Sequence, residues 1–367
     1  MDERLVARVL HLAVEIQQIP APTFGEGKRA SFVREFFQET GLHYVSTDEA
    51  GNVYGQIPGK GVRPPLVVSA HLDTVFSELV DLSVKRSPEM ISGPGIGDNS
   101  IGVASLLGLV WALRSLGQQL PGDLWLVANV CEEGLGNLDG MRRVVDRFGD
   151  QVAAYIVLEG MSLEHIYHRG VSVLRYRITA RTAGGHSWVD YGRPNAINEL
   201  AALVCRLEAI ELPEQPRTVL NVGVFNGGTT VNSIAAEASI EVDLRAEVPG
   251  DLKALAAQVS KLVKDSNRPG VQVSSEAIGR RPAGEIPADH PLVLLARRCL
   301  EEQGIHAGLN TGSTDANIPL SLGIPAVCVG ITTGSGAHTP AEFIQTRPVL
   351  RGLASLVRLV QGAYSLE

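Results

Sequence analysis

The chain has 367 residues, more than one hydrophobic core usually contains, so we predict two domains. With 44% apolar and 20% charged residues, it has the composition of an ordinary globular protein, which excludes a disordered chain. Its 32 basic and 40 acidic residues give a formal charge of -8, and because no basic stripe with interleaved aromatic residues occurs, we expect no nucleic-acid partner.

The first part of the chain, up to Leu158, alternates helices with strands. Apolar periodicity predicts helices at residues 5–19, 25–40 and 100–116. Short apolar runs predict buried strands at residues 65–70, 124–130 and 154–158. This alternation is typical of an α/β domain with a mostly parallel sheet.

The middle of the chain has a different pattern. Residues 171–180 and 234–245 alternate apolar with polar side chains, as strands with one solvated face do. Predicted helices near 195–209 and 251–263 separate the strands. The resulting order of strand, helix, two strands, helix and strand is that of a ferredoxin-like α+β unit.

The α/β pattern then resumes. The predicted elements are a helix, a strand and a closing helix, at residues 291–303, 326–330 and 349–364. We therefore predict a discontinuous domain formed by residues 1–169 and 281–367, with an inserted domain at residues 170–280.

Histidine and acidic residues follow the ends of several predicted strands, where open α/β sheets bind their ligands. They are His71, Asp73, Asp98, Glu132, Glu133, Glu159 and His338. Imidazole and carboxylate groups are ligands of zinc and similar divalent ions. Five of these residues can therefore be proposed as ligands of two ions: His71, Asp98, Glu133, Glu159 and His338. Asp98 lies in a tight glycine-rich loop, which suits a carboxylate that bridges both ions.

Asp73 and Glu132 have other predicted roles. Asp73 lies two residues after His71, so on an extended segment it could accept the second N–H of the imidazole and orient the ring. Neighbouring residues of a strand point to opposite sides, so Glu132 and Glu133 are not expected to bind the same ion. Glu132 is the candidate general base, which takes a proton from water and passes it to the leaving nitrogen.

These motifs resemble those of the aminoacylase/carboxypeptidase G family of di-zinc metallopeptidases, and most of all its peptidase T-like members. They are His-x-Asp-Thr at residues 71–74, Gly-x-Gly-Asp-Asn at 95–99, Glu-Glu-Gly at 132–134, Glu159, and Ala-His-Thr-Pro at 337–340. The resemblance implies a peptidase that cleaves short peptides through a hydroxide held by two divalent ions. Zinc is the expected metal, and cobalt and manganese are alternatives.

The resemblance also assigns the metal ligands to two sites. His71 and Glu159 would complete one site, Glu133 and His338 would complete the other, and Asp98 would bridge them. The inserted domain would be a lid through which two chains form a homodimer.

Further roles are implied outside the metal cluster. In the lid, His186 of Gly-Gly-His-Ser would polarise the scissile carbonyl, from its own subunit or from the partner. Asn232 and Arg245 match substrate-binding positions, and the fork of an arginine suits a carboxylate. The loop with Gly312 and Ser313 matches another segment that faces the substrate.

Two rival functions remain open. One is a deacylase of N-acyl amino acids, of the acetylornithine or succinyl-diaminopimelate type, because the motif residues would be the same. The other is a non-catalytic module that binds metal for dimerisation or peptide binding. The intact Glu132 argues against this module, since holding the metal requires only the ligands.

Cysteine usage and the amino terminus bear on location. The four cysteines are Cys131, Cys205, Cys299 and Cys328, which are widely spaced, as in proteins of a reducing compartment. The chain begins with an amphipathic helix instead of a secretion signal, and no apolar stretch is expected to reach the roughly 18 residues of a membrane span. We therefore expect a cytoplasmic protein without a membrane partner.

Overall fold

The computed structural model describes residues 2–366. The chain divides into two compact units: the first runs up to Gly170 and resumes at Gly284, and the second is Val171–Ala283. The sequence predicts the start of the inserted domain one residue earlier and its end three residues earlier.

Helices occur in both units. They are α1 (Glu3–Gln17), α2 (Gly27–Glu39), α3 (Ile101–Ser115), α4 (Asp139–Phe148), α5 (Ala196–Glu208), α6 (Pro249–Asp265), α7 (Pro291–Glu301), α8 (Asn317–Ser321) and α9 (Val349–Ala363). A π-helical turn, Ile96–Ser100, leads into α3, and a 3-10 turn, Gly134–Gly136, precedes α4.

Strands likewise occur in both units. They are β1 (His43–Thr47), β2 (Val53–Ile57), β3 (Leu66–His71), β4 (Lys85–Arg86), β5 (Met90–Ser92), β6 (Leu124–Asn129), β7 (Ala154–Leu158), β8 (His165–Gly170), β9 (Ser172–Thr182), β10 (Gly185–His186), β11 (Thr218–Gly227), β12 (Ser233–Ile234), β13 (Glu237–Ala246), β14 (Val271–Arg281), β15 (Gly284–Glu285), β16 (Gly308–Gly312), β17 (Ala326–Val329), β18 (Gly334–Ser335) and β19 (Phe343–Gln345).

The first unit is built on one mixed sheet with the strand order β1-β2-β6-β3-β7-β17-β8-β15, and β16 also pairs with β8. Its centre, β6-β3-β7-β17, is parallel, whereas β1, β2, β8 and β15 join it by antiparallel pairs. Every residue of β3 is buried, as expected of a central strand covered on both faces. The prediction of a mixed α/β fold with a largely parallel central sheet is confirmed.

Helix α3 lies in the core of the first unit. Together with the preceding π turn it forms a helix over Ile96–Ser115, the one helix in residues 2–366 that is long and apolar enough to cross a membrane. The expectation that no apolar stretch reaches this length is therefore wrong. However, 89% of its apolar window is buried inside the protein, as in a helix surrounded by a protein core.

The second unit contains a four-stranded antiparallel sheet with the order β11-β13-β9-β14. Strand β13 alternates buried with more exposed residues, so the sheet has one apolar and one polar face. Helices α5 and α6 contribute Leu203 and Val259 to the core on the apolar face. On the polar face, arginines of β9 pair with acids of β13: Arg175–Asp243, Arg177–Glu241 and Arg181–Glu237.

Gly352 tests how closely helix α9 of the first unit packs against the backbone at Ile331. A Cβ atom added there would overlap the backbone carbonyl of Ile331, whereas one added at Gly27 of α2 would have no atom within 4 Å. Alanine favours helices over glycine by about 1 kcal/mol, but forced overpacking costs roughly 1–3 kcal/mol. We predict that Gly352→Ala lowers the urea midpoint of unfolding and that Gly27→Ala does not. Equal midpoints for the two variants would contradict this packing.

Candidate metal centre

Three segments that carry candidate ligands follow neighbouring parallel strands of the central sheet. His71 is the last residue of β3, Glu159 directly follows β7, and Glu133 lies four residues after β6. Asp98 lies in the π turn before α3, and His338 follows β18. Because parallel strands end at the same edge of a sheet, side chains from distant parts of the chain meet there.

The structure brings these residues together in two groups with one member in common. The first group is His71, Asp98 and Glu159, and the second is Asp98, Glu133 and His338. Within each group the potential ligand atoms lie within 4.8 Å of one another. The two oxygens of Asp98 face different histidines: Oδ1 is 3.1 Å from Nε2 of His71, and Oδ2 is 3.2 Å from Nε2 of His338. Such a carboxylate is placed to bridge two metal ions.

The ring of His71 is oriented for metal binding. It is almost completely buried, and its Nδ1 lies 3.0 Å from the backbone carbonyl oxygen of Asp73. A carbonyl can only accept, so a neutral ring carries its proton on Nδ1 and has its lone pair on Nε2. This Nε2 atom makes no hydrogen bond, although it is buried. A buried nitrogen in this state fits a metal ligand, because buried polar atoms otherwise have hydrogen-bond partners.

Asp73 has a second role besides the predicted one. Its carboxylate Oδ1 is 3.5 Å from Nδ1 of His71, and the backbone carbonyl oxygen of the same residue makes the shorter contact with this nitrogen, at 3.0 Å. The carboxylate accepts hydrogen bonds from the backbone N–H groups of Glu132 and Glu133, at 2.9 and 2.8 Å, and from the hydroxyl of Thr23. Asp73 therefore positions the segment that carries both glutamates.

The prediction that Glu132 and Glu133 point to opposite sides of a strand is wrong. Strand β6 ends at Asn129, and Cys131 adopts a left-handed conformation with φ 58°, so the two glutamates lie in a loop. Strand alternation therefore does not determine their directions. Both side chains are buried, and the charge of Glu132 contributes to raising the pKa of Glu133 and of Glu159.

Asn99 is a residue of the site that sequence reasoning missed. It is buried, and its side-chain amide donates to the carbonyl of Leu158 at 2.7 Å and accepts from the N–H of Gly160 at 3.0 Å. These two residues flank Glu159, so Asn99 holds the backbone on both sides of a candidate ligand. The Gly-Asp-Asn motif was the only sequence signal for this residue.

The crowding of acids shifts their pKa values. Burial raises the pKa of Glu133 to about 7, with contributions from the charges of Asp98 and Glu132, and burial likewise raises the pKa of Glu159 to about 7. Hydrogen bonds to Asp98 and Glu133 raise the pKa of His338 to about 10. Burial disfavours the charge of Asp98, but the two histidines outweigh it and hold its pKa well below the usual range.

The loop after β16 reaches the same edge of the sheet. Gly312 ends this strand, and a Cβ atom there would come within 2.7 Å of the ring of Tyr167, so only glycine fits without a shift. Ser313 follows it in the loop. Two residues later, Asp315 is fully buried and accepts a hydrogen bond from the side chain of Asn129 at 2.6 Å. The loop is thereby joined to the end of β6, which leads to Glu132.

His186 is an exposed residue of the second unit, at the end of the short strand β10. Its Nδ1 accepts from the backbone N–H groups of Trp188 and Val189, at 3.2 and 3.4 Å. Strand β10 with His186 pairs with β12, and the backbone carbonyl of Asn232 accepts from the N–H of Ser187. The structure thus brings His186 and Asn232 together within this unit.

Arg245 lies at the other end of the same unit. It pairs with Val173 near the start of β9, whereas the loop of His186 leaves the end of β9 where Arg181 pairs with Glu237. Arg245 follows Glu237 by eight positions along β13, which corresponds to about 26 Å of extended strand. The structure therefore does not bring His186 and Arg245 together within one copy of the unit.

Comparison with known proteins agrees with this geometry. Residues 67–362 match the family model described as peptidase family M20/M25/M40. The chain belongs to this family. Its members are hydrolases, so the chain is an M20 family hydrolase and an enzyme.

Two curated relatives and one solved structure are similar over nearly the whole M20 chain. Carboxypeptidase G2 of Pseudomonas sp. (strain RS-16) is 24% identical, over 98% of this chain and 89% of that protein. Succinyl-diaminopimelate desuccinylase of Corynebacterium glutamicum is 24% identical, over 90% of each. The crystal structure of a tripeptidase from Staphylococcus aureus has a TM-score of 0.81 at 20% identity and covers 98% of this chain and 99% of that one. It shows that the fold is the same.

The candidate ligands of this M20 chain fit divalent ions. The two groups contain only imidazole nitrogens and carboxylate oxygens, which zinc, cobalt and manganese accept. Each group also offers only three protein ligands, and a catalytic site of this kind keeps a further position for water or substrate.

The pKa values predict that metal binding by the M20 chain releases protons. His338, with a pKa of about 10, is charged at neutral pH, and Glu133 and Glu159 are partly protonated at pH 7. Metal requires the neutral imidazole and the carboxylate forms, so the apparent affinity should rise with pH between about 6 and 8. Calorimetric titration of the chelator-treated protein with Zn²⁺, in buffers of different ionisation enthalpy, measures the released protons. A binding enthalpy independent of the buffer would contradict the prediction.

Proposed function

We propose that this chain is a metal-dependent peptidase that hydrolyses the amide bonds of short peptides. The observation that carries the proposal is the position of Asp98, whose two oxygens face His71 and His338 in two adjoining groups of ligands. In this proposal His71, Asp98 and Glu159 hold one ion, and Asp98, Glu133 and His338 hold the other.

Glu132 is the proposed general base. When bound, two divalent ions would polarise the amide carbonyl and lower the pKa of the attacking water to about 7. Glu132 accepts the proton of this water and passes it to the leaving nitrogen. The water oxygen bonds to the carbonyl carbon, the C–N bond breaks, and the products are a carboxylate and an amine. The hydrogen bonds of Asp73 to the backbone of Glu132 and Glu133 support this role, because they keep the base in place.

His186 is the proposed donor to the oxygen of the scissile carbonyl. Its Nδ1 accepts from two backbone N–H groups, so a neutral ring carries its proton on Nε2. An exposed Nε2–H group is a suitable hydrogen-bond donor for the negative charge that develops on a carbonyl oxygen.

The positions of His186 and Arg245 support a homodimer. A dipeptide spans at most about 7 Å, whereas the two residues lie near opposite ends of a strand that spans roughly 26 Å between Glu237 and Arg245. One copy of the second unit therefore does not place both side chains within reach of one small substrate. We propose that the second unit is a lid that also mediates dimerisation, and that His186 acts on the substrate bound by the partner subunit.

Arg245, Gly312 and Ser313 are proposed to bind the substrate carboxylate and backbone within one chain. Asn232 is the further proposed binding residue, and because it lies beside His186 it would contact the substrate of the partner subunit together with His186. The guanidinium of Arg245 uses its Nε to bind Asp243 at 2.6 Å, and this contact fixes the direction of its fork. Arginine in such a fixed direction is suited to a free carboxylate. A carboxylate next to the cleaved amide is common to peptides and to N-acyl amino acids.

A deacylase of N-acyl amino acids is the second candidate, and similarity to a succinyl-diaminopimelate desuccinylase favours it. Both reactions need the same ligands and base. A panel of di- and tripeptides, N-acetyl amino acids and N-succinyl amino acids separates them by kcat/KM. Higher values for the peptides would support the peptidase, and higher values for the acyl amino acids would support the deacylase.

The substitution Glu132→Gln tests the proposed base. It preserves the shape of the side chain but removes proton transfer, so we expect kcat for the best amide of the panel to fall about 10²–10⁴-fold. Bound metal, measured by mass spectrometry, should stay at the level of the unmodified chain. Glu164→Gln, at an exposed position of the first unit, is the control and should keep full activity. Undiminished turnover by Glu132→Gln would contradict the mechanism.

Mixing two inactive variants tests whether His186 acts on the partner's site. We expect His186→Ala and Glu132→Gln to be nearly inactive alone. In a mixed dimer, one site would combine an intact Glu132 with an intact His186 from the other chain. Random mixing makes half of the dimers mixed, so about a quarter of the unmodified activity should return. If mixed dimers form and no activity returns, action across the dimer is wrong.

A further inference from the structure

Glu342 is a buried acid beside the metal centre that is in neither group of candidate ligands. It follows His338 by four residues and is completely buried, with an exposed fraction of 0%. Burying a carboxylate is unfavourable unless hydrogen bonds or charges compensate it. The contacts of Glu342 therefore indicate what it stabilises.

The carboxylate of Glu342 accepts three backbone hydrogen bonds from the glycine-rich loop. Oε1 accepts from the N–H of Gly97 at 2.6 Å and from the N–H of Asp98 at 2.8 Å. Oε2 accepts from the N–H of Gly95 at 3.1 Å. Gly95 has φ 71°, the left-handed region, and this turn directs successive amides toward one anion.

The backbone of Glu342 is attached to the same loop. Its carbonyl accepts from the N–H of Gly93 at 2.9 Å, and the next residue, Phe343 of β19, pairs with Ser92 of β5. The segment that begins at His338 and the segment that ends at Asp98 are thus joined by both backbone and side-chain contacts of Glu342. Each of these segments carries a candidate ligand of the second metal group.

We propose that Glu342 is a positioning residue that fixes Asp98 relative to His338 and thereby sets the affinity for the two metal ions. The inference rests on the proposed metal-dependent function. Because Asp98 would be a ligand of both ions, a shift of its backbone would change the binding of both ions at once. Glu342 holds the N–H of Asp98 itself, so its carboxylate acts directly on the backbone that carries this ligand.

A carboxylate of this length is required for these contacts. Two oxygens can accept all three N–H groups, and hydrogen bonds to a charged acceptor are stronger than those to a neutral one. In Glu342→Gln one of the oxygens becomes an NH₂ group, which cannot accept from an N–H. In Glu342→Asp the charge remains, but the side chain is shorter by one methylene group and cannot reach the same amides.

Direct measurement of Zn²⁺ affinity tests the inference. After metal removal, the unmodified chain, Glu342→Gln, Glu342→Asp and the control Glu89→Gln are titrated against a chromophoric chelator that competes for Zn²⁺. Glu89 is an exposed acid between β4 and β5, in the same small sheet as β19. Residues that orient metal ligands typically change metal affinity 10–100-fold. We expect such a loss in both Glu342 variants and none in Glu89→Gln.

The absorption spectrum of bound Co²⁺ provides a readout that a general loss of stability would not change. Displacement of Asp98 should alter the coordination, so the spectrum of Glu342→Gln should differ from that of the unmodified chain at full occupancy. Unchanged Zn²⁺ affinity together with an unchanged Co²⁺ spectrum in a folded Glu342→Gln protein would overturn the inference.

If neither Glu342 variant folds, hydrogen exchange in the unmodified chain tests whether Glu342 holds the loop before Asp98. The inference requires the amides of Gly97 and Asp98 to stay protected after metal removal, because Glu342 holds them. Protection that disappears with the metal would overturn it. These experiments do not measure amide cleavage, so they test the role of Glu342 even if the chain proves not to cleave peptides. If the unmodified chain binds no Zn²⁺, the proposed function fails, and the exchange data still show whether Glu342 holds the loop.

Discussion

Repulsion between buried carboxylates is the constraint on which this structure depends. Asp98, Glu132, Glu133 and Glu159 come together at one edge of the central sheet, and burial with mutual repulsion raises the pKa of Glu133 and Glu159 to about 7. His71 and His338 compensate part of this charge and can themselves bind metal only when neutral. Two divalent ions would compensate all of it, which explains why such an arrangement is compatible with a stable fold.

The candidate ligands depend on hydrogen bonds between the segments that carry them. Asp73, next to His71 in the chain, holds the backbone of Glu132 and Glu133. Asn99, next to Asp98, holds the residues on both sides of Glu159. Each segment thus positions another, so hydrogen bonds of the protein itself hold the geometry of the cluster. A preorganised cluster of this kind favours binding and catalysis, because less ordering is needed later.

The parallel sheet and the composition of the cluster could be predicted from the sequence, because apolar strand runs and acids at their ends are local signals. The role of Asn99 and the second role of Asp73 could not, since their partners are backbone groups that carry no residue-specific signal. The directions of the Glu132 and Glu133 side chains could not be predicted either. They depend on the left-handed conformation of Cys131, which a sequence does not mark when the residue is not glycine.

The first unit carries all the candidate metal ligands, whereas the second unit carries His186, Asn232 and Arg245, whose roles toward the substrate are proposed. The central claim is that this cluster binds two ions that share Asp98. Anomalous diffraction from crystals grown with Zn²⁺ tests it most directly. The account predicts two peaks about 3.5–4 Å apart, one at His71 and Glu159 and one at Glu133 and His338, with Asp98 in contact with both. A single peak, or peaks away from these residues, would contradict it.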